Sequence, residues 1–321
     1  MKKHITLLSG SSNPELAEKV SKELGIELTP VEIKNFNDGE TYVRVEKSVR
    51  GSHVFIIQPT SPPVNDNLME LLILVDALKR ASAKEITAVI PYYGYSRQDR
   101  KATSREPITA KLVASLIETA GVDRVVTFDL HVDQIQGFFN IPVDNLAAMP
   151  ILAKSIIKKK LDNIVVVSPD VGGATRARRF AKVLDSEMAV IDKRRPAHGE
   201  SEIMNIIGEV EGKSVILIDD IIDTAGTISN AATAIKKKGA KEVYICATHL
   251  IMSKDAINKL ENDDIKEIIV TDSISISREK RLNKIKIVSL APFITELIKC
   301  IFEGEPMGVI VEKHQKEVKN E

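Results

Sequence analysis

The sequence predicts an α/β fold of two related domains, each a mainly parallel sheet flanked by helices. Three observations predict it. The apolar run 215–218 carries no periodic polar residue and suits a strand buried on both faces of a parallel sheet, and 86–90 is a second buried run. Helical patterns alternate with such runs, and the alternation restarts after about Asn145. The chain has 321 residues, about twice a typical domain, and its 43% hydrophobic content is enough for ordinary buried cores.

In the first half, residues 5–8 read as a strand. Asn13-Pro14 caps and opens a helix that Gly25 ends. Residues 36–40 form a turn before the alternating strand 41–45. A strand at 52–58 and a loop at 59–63 lead to a long helix over 66–81, with Leu68, Leu71, Leu72, Val75 and Leu78 on one face. The strand 86–90 ends in Pro91, Pro107 opens a helix ending near Gly121, and the strand 124–130 closes in Asp129-Leu130-His131. Residues 134–139 lead to Ile141-Pro142, and the first domain is expected to span 1–145.

The second domain is expected over 146–303. It begins with a helix at 150–160 and a strand at 164–168, which ends in Pro169-Asp170 before Gly172-Gly173 and a helix through Leu184. A strand at 188–191 runs into Asp192-Lys193-Arg194-Arg195-Pro196, a flexible connector at 197–201 follows, and 203–210 is the next strand. After the run 215–218 come a helix over 228–238 closed by Gly239, strands at 242–249 and 265–271, and an apolar helix at 293–302. Residues 304–321 are a C-terminal tail, frayed over 312–321, where Val318 is the one apolar residue.

Two stretches carry chemistry. Asp219 and Asp220 follow the run 215–218, where the strand is expected to end, and Asp223-Thr224-Ala225-Gly226-Thr227 opens the next helix. Ligands of open α/β sheets sit outside the carboxyl ends of strands. A turn of small and hydroxylated residues at a helix N-terminus offers N–H groups to an anion. A phosphate held at 224–227, with carboxylates beside it to accept from sugar hydroxyls or bind a metal, describes a phosphorylated sugar. Taken singly, acidic pairs at strand ends are often only solvated turn residues; the whole string carries the reading. The second stretch, YYGYSRQDRKATSREPI at 92–108, places three Arg and one Lys among three Tyr after a strand end. Arg supplies planar forks for phosphate and faces that stack on bases, which points to a nucleotide.

Lys plus Arg equals Asp plus Glu at 45 each, so net charge gives no support for a nucleic-acid partner. Cys246 and Cys300 lie in apolar contexts without metal spacing and read as buried reduced thiols of a cytosolic protein. No apolar run approaches membrane-spanning length, and MKKHITLLSG lacks a signal-peptide cleavage pattern. The expectation is a soluble cytoplasmic protein without membrane or nucleic-acid partners.

The string LIDDIIDTAGT at 217–227 resembles the phosphoribosyl-diphosphate (PRPP) binding motif of type I phosphoribosyltransferases and ribose-phosphate diphosphokinases. Over residues 4 to 303 the chain resembles the class I ribose-phosphate diphosphokinases (PRPP synthetases). The further matching strings are FNDGE at 36–40, NDNLMELLILVDALKRASA at 65–83, IPYYGYSRQDRK at 90–101, SREPITAKL at 104–112, DLHVDQIQGFF at 129–139, VVSPDVGGATRAR at 166–178 and IDKRRP at 191–196. The resemblance implies two phosphoribosyltransferase-like domains, Mg²⁺ as cofactor, and a homohexamer built from dimers. It implies that ATP and ribose 5-phosphate give PRPP and AMP: the anomeric hydroxyl attacks the β-phosphorus and the β,γ-diphosphoryl group moves as a unit. By the same resemblance Asp38, Gly39 and Glu40, from a neighbouring subunit, line the ATP base and ribose together with Arg97 and Gln98. His131 and Asp170 match positions for the metal and the ATP phosphates; Lys193 matches the catalytic lysine, and Arg195 its companion, which also serves the ribose 5-phosphate. Asp219, with Asp223, Thr224, Ala225, Gly226 and Thr227, matches the ribose 5-phosphate site, and Asp220 is nearby support.

One departure stands out. The family's C-terminal segment usually carries serines that help bind phosphate or ADP at an allosteric site, whereas here 305–309 reads Glu-Pro-Met-Gly-Val. Ser48, Arg50, Ser82, Ser104 and Arg105, which resemble the rest of that site, are present. Two alternatives share parts of the pattern. A phosphoribosyltransferase would keep 217–227 but would not need FNDGE and YSRQDRK. A non-catalytic regulatory subunit would depart around Lys193, Arg195, His131 and Asp170, all of which are in place.

Overall fold

The computed structural model describes residues 4–194 and 203–319. Along the chain run β1 (Ile5–Ser9), α1 (Pro14–Leu24), β2 (Val31–Asn35), β3 (Thr41–Val45), β4 (His53–Ile57), α2 (Val64–Arg80), β5 (Glu85–Ile90), α3 (Thr109–Ala120), β6 (Arg124–Phe128), a 3₁₀ helix (Asp133–Phe138) and β7 (Val143–Leu146). There follow α4 (Met149–Ile157), β8 (Ile164–Ser168), α5 (Ala174–Val183), β9 (Glu187–Arg194), β10 (Ile203–Ile207), β11 (Ser214–Ile222), α6 (Gly226–Lys237), β12 (Glu242–Leu250), α7 (Ala256–Leu260), β13 (Glu267–Thr271), β14 (Ile285–Val288), α8 (Ala291–Glu303) and α9 (Gly308–Lys319). The chain divides into two units: Met1–Ala147 with Ser273–Ser275 and Ser289–Ile310, and Ala148–Asp272 with Ile276–Val288 and Val311–Glu321.

In the first unit the strands lie in the order β1-β4-β5-β6-β7, every pair parallel. Such a sheet is covered on both faces, which explains why β4 is buried at every position and apolar at all but its first residue, His53. Leu71, Leu74 and Leu78 of α2 are fully buried, one residue per turn on its core face. α1 begins as its sequence dictates: the Asn13 side chain accepts from the Leu16 N–H, Pro14 occupies the first turn, and Gly25 closes the helix with φ 70°. β2 and β3 form a separate antiparallel hairpin. α8 belongs to this unit, and its Phe293 meets Phe128 edge-on with ring centroids 5.6 Å apart.

The second unit carries the order β10-β9-β8-β11-β12-β13-β14, parallel except for β10 against β9. β11 lies at its centre, between β8 and β12, and its residues 214–218 are all buried. Both cysteines are buried and unbridged, and burial pushes the Cys246 thiol far up, as expected of an inert core thiol.

The structure departs from the sequence reading in several places. β11 does not end before Asp219 but runs on to Ile222, because β12 continues beside it and pairs Ile221 with His249 and Ile222 with Leu250. β9 likewise extends to Arg194, paired with Ile203 of β10. β2, β7, α7 and β14 were not anticipated. The tail expected to fray over 312–321 is helical up to Lys319, with Ile310 and Val318 buried. The connector expected at 197–201 lies outside the described residues.

Candidate functional site

In the second unit the site grows from the carboxyl end of β11. Asp219 and Asp220 are the last polar residues before Ile221 and Ile222, and their side chains are 22% and 5% exposed. Arg176, in the first turn of α5, reaches both carboxylates through one nitrogen, at 3.0 Å from Asp219 Oδ1 and 3.2 Å from Asp220 Oδ1. The Asp220 N–H also donates to Asp219 Oδ1, at 2.9 Å. Burial, and then the charge of Asp220, hold the Asp219 carboxyl well above the ordinary carboxylate range, against the pull of Arg176. One cation thus faces two carboxylates in a largely desolvated place. A hydroxyl donor or a second cation arriving there would find strong acceptors.

The chain then turns through Asp223 and Thr224 into α6. Ala225 stands at the helix entrance with φ 58°, a left-handed conformation that alanine adopts at a penalty. It is held there because it is 5% exposed and part of the second unit's apolar core. The first N–H groups of α6 have no intrahelical partners by helix geometry, so the turn 224–227 presents amides where the helix dipole favours an anion. Thr227 is exposed in the first turn of α6.

Asp170 follows β8 in the same sheet. Its Oδ1 accepts from the Gly173 N–H at 2.9 Å, and its carbonyl accepts from the Ser168 hydroxyl at 2.6 Å. A Cβ on Gly173 would stand 2.7 Å from Ser168 Oγ, so a side chain there would displace the hydroxyl that bonds the Asp170 carbonyl. The carboxylate is therefore fixed against the start of α5. Lys193 lies on β9, its backbone in register with Met204, and Arg195 lies outside the described residues.

In the first unit, Arg97 and Gln98 are exposed in the loop after β5. The loop is anchored from beneath: the Tyr93 hydroxyl donates to the Ala110 carbonyl at 2.9 Å, and the Gly94 N–H to Thr60 Oγ1 at 2.7 Å. A Cβ on Gly94 would stand 2.5 Å from the Thr60 carbonyl oxygen, so the close approach excludes any side chain. Gln98 also ties the loop to α3, accepting from the Thr109 hydroxyl at 2.6 Å and, by its carbonyl, from the Ala110 N–H at 3.1 Å. Asp38, Gly39 and Glu40 form the exposed tip of the β2–β3 hairpin, with Gly39 at φ 95° and the Glu40 N–H donating to Asp38 Oδ1 at 3.1 Å. His131 is half-buried just past β6, after Asp129 at φ 39°.

The structure thus joins Asp219, Asp220 and 223–227 into one continuous feature and keeps Arg97 with Gln98 on one loop. It adds Arg176, which the sequence reading had not singled out. The available signal was a cation in the first turn of a helix, against the dipole, which calls for a local carboxylate. Among the described residues, no group of three or more His, Cys, Asp or Glu side chains gathers that could hold a metal by itself.

Comparison with known proteins agrees with this geometry. Residues 5–121 match the N-terminal domain of ribose phosphate pyrophosphokinase, and residues 194–312 match the phosphoribosyl synthetase-associated domain. The chain is 58% identical over 307 residues to the ribose-phosphate pyrophosphokinase of Fusobacterium nucleatum, covering 95% of this chain and 97% of that protein. It is 53% identical over 308 residues to the Bacillus subtilis protein of the same name, covering 96% and 97%. The crystal structure of phosphoribosylpyrophosphate synthetase from Mycobacterium smegmatis superposes with a TM-score of 0.90 at 44% identity, covering 94% of this chain and all of that one. The chain, with its acid pair, left-handed turn into α6 and two α/β units, belongs to the ribose-phosphate pyrophosphokinase family.

Proposed function

We propose that this chain transfers the β,γ-diphosphoryl group of ATP to the anomeric hydroxyl of ribose 5-phosphate, giving PRPP and AMP for nucleotide synthesis. The observation that carries the proposal is the Arg176-held Asp219–Asp220 pair running directly into the left-handed turn at Ala225. Vicinal sugar hydroxyls would donate to the carboxylates, and the 5-phosphate would take the amides of 224–227, with the Thr227 hydroxyl beside them. Arg97 and Gln98, and Asp38, Gly39 and Glu40 from a neighbouring subunit, would line the ATP base and ribose. Lys193 and Arg195 would bring positive charge to the transferred group.

Phosphoryl-type transfer asks little covalent work of a protein; it asks for alignment and for cations where charge develops. Mg²⁺ is bound in such sites by one or two carboxylates together with substrate phosphates and water rather than by an all-protein cage, which fits a chain offering the fixed Asp170 carboxylate and the separate imidazole of His131. Its chemistry when bound is to bridge and neutralise phosphate oxygens. A homohexamer built from dimers and a cytoplasmic location complete the proposal; no helix among the described residues is long and apolar enough to cross a membrane.

The test is AMP formation from ATP, which is to depend on both ribose 5-phosphate and Mg²⁺; formation of ADP, or AMP release without the sugar phosphate, overturns it. Thr227→Val is expected to raise the KM for ribose 5-phosphate severalfold and to leave the KM for ATP unchanged, since only one ligand sits on the turn. An equal rise in both would place the sugar phosphate elsewhere. Control by inorganic phosphate and ADP is expected to be blunted. Pro306 has no N–H, and Met307 and Gly308 offer no side-chain donor. The Val309 and Ile310 amides are already committed to the Pro306 and Met307 carbonyls at 3.2 Å. Activity titrated with phosphate at saturating substrates checks this, and strong activation would show the departure to be immaterial.

A further inference from the structure

The segment after β12 braces the phosphate turn from the neighbouring strand. The Ser253 N–H donates to the Asp223 carbonyl at 3.1 Å, and the Ser253 hydroxyl donates to the Asp223 carboxylate. From α7, the half-buried Lys259 ammonium donates to the Thr224 carbonyl at 3.3 Å and lies 3.9 Å from where a Cβ on Gly226 would stand. The bracing loop is itself constrained: Met252 and Lys254 adopt φ 53° and 52°, in the left-handed region, and Met252 and Ala256 are packed into the core. Non-glycine residues persist in such conformations where their surroundings over-determine them, and they concentrate at ligand clamps.

Two consequences follow from the peptide geometry. In a trans peptide the carbonyl and the N–H point in opposite directions, so pinning the Thr224 carbonyl on Lys259 turns the Ala225 N–H away from it and fixes that donor's aim. A backbone carbonyl oxygen beside an anion is repulsive, and the ammonium neutralises it. Lysine also has three donors, of which the Thr224 carbonyl takes one. We infer that Lys259 is a further sugar-phosphate-binding residue, holding the Thr224 carbonyl aside while supplying a cation to the 5-phosphate on the turn. The inference rests on the proposed occupancy of this turn by ribose 5-phosphate and adds a recognition group from α7.

The test compares Lys259→Met and Lys259→Arg in the full-length enzyme. Loss of one charge-assisted hydrogen bond corresponds to about tenfold or more in affinity. Lys259→Met is expected to raise the KM for ribose 5-phosphate about tenfold, with kcat at saturation and the KM for ATP retained, while Lys259→Arg stays close to the unsubstituted enzyme. An unchanged KM for the sugar phosphate in Lys259→Met overturns the inference. So does a fall in kcat with both KM values raised in both variants, which would mark a purely structural role. Should Lys259→Met fail to fold, the Lys259 side-chain nitrogen resonance, assigned by its loss in Lys259→Arg, is followed in the unsubstituted enzyme. It is to shift on titration with ribose 5-phosphate, and an unmoved resonance overturns the inference. Absence of AMP formation by the unsubstituted enzyme would instead remove the functional proposal itself, so the two failures are distinct.

Discussion

Replacing Lys193 by alanine is expected to lower kcat by about a hundredfold or more while leaving the fold and ATP binding nearly intact. Lys193 sits within β9, where its backbone pairs with Met204 of β10, and that ladder bond does not depend on the side chain. In the role proposed for Lys193, its charge is needed most as negative charge spreads over the transferred diphosphoryl group, so its loss would fall on the transition state rather than on the ground state. Removing a single such group typically costs roughly 3 kcal/mol or more. Steady-state kinetics with ATP and ribose 5-phosphate varied in turn, alongside an ATP-binding titration, decide the matter. A near-normal kcat would remove Lys193 from the reaction.

Arg176→Met is the second large effect, and it shows in stability as well as in binding. The substitution keeps the apolar stem of the side chain but strips the cation from two carboxylates whose side chains are 22% and 5% exposed. Leaving buried charge without its partner costs about 3 kcal/mol. The sign with pH follows from protonation. The Asp219 carboxyl is already held above its ordinary range by burial and by Asp220, and loss of Arg176 removes the larger of two opposing attractions, the Asp220 N–H bond remaining. Above about pH 8, the value to which burial already pushes the parent's carboxyl, the folded variant therefore binds more protons than the folded parent, up to its own still higher value. Its stability must fall as pH rises through that interval. Denaturant titrations at about pH 6 and pH 9.5 are expected to show the deficit growing toward the alkaline end. A deficit of equal size at both would mean that Arg176 acts through packing alone. Ribose 5-phosphate binding is expected to weaken in parallel if, as proposed, these carboxylates accept from its hydroxyls, since they would be held partly protonated.

The parts of this molecule that sequence makes plain are those written locally. Asn13, Pro14 and Gly25 state the two ends of α1 within a dozen residues, and the buried run at 215–218 announces a central strand with no help from elsewhere. The string 223–227 was legible as a turn into a helix because glycine and hydroxyl residues stand side by side before the pattern 228–238. What could not be read is what depends on a neighbour. β11 overruns its carboxylates only because β12 is there to pair with Ile221 and Ile222. Arg176 meets Asp219 across 43 residues of chain, and Lys259 meets Thr224 across 35. The helical tail is an intermediate case. Ile310, His314 and Val318 recur at four-residue spacing, and Ile310 and Val318 are buried, but the surrounding charges mask that stripe in composition.

On the proposed occupancy of the turn by ribose 5-phosphate, the left-handed alanine at 225 would bear on how quickly that ligand is captured. Its methyl group is embedded in the apolar core, so the turn cannot relax into another shape without drawing that methyl toward water. The ordering of the turn was completed when the chain folded, and no segment there has to find its conformation in the presence of ligand. Encounter at this end of the site is then governed by diffusion and by the attraction between a doubly charged phosphate and a stationary set of donors.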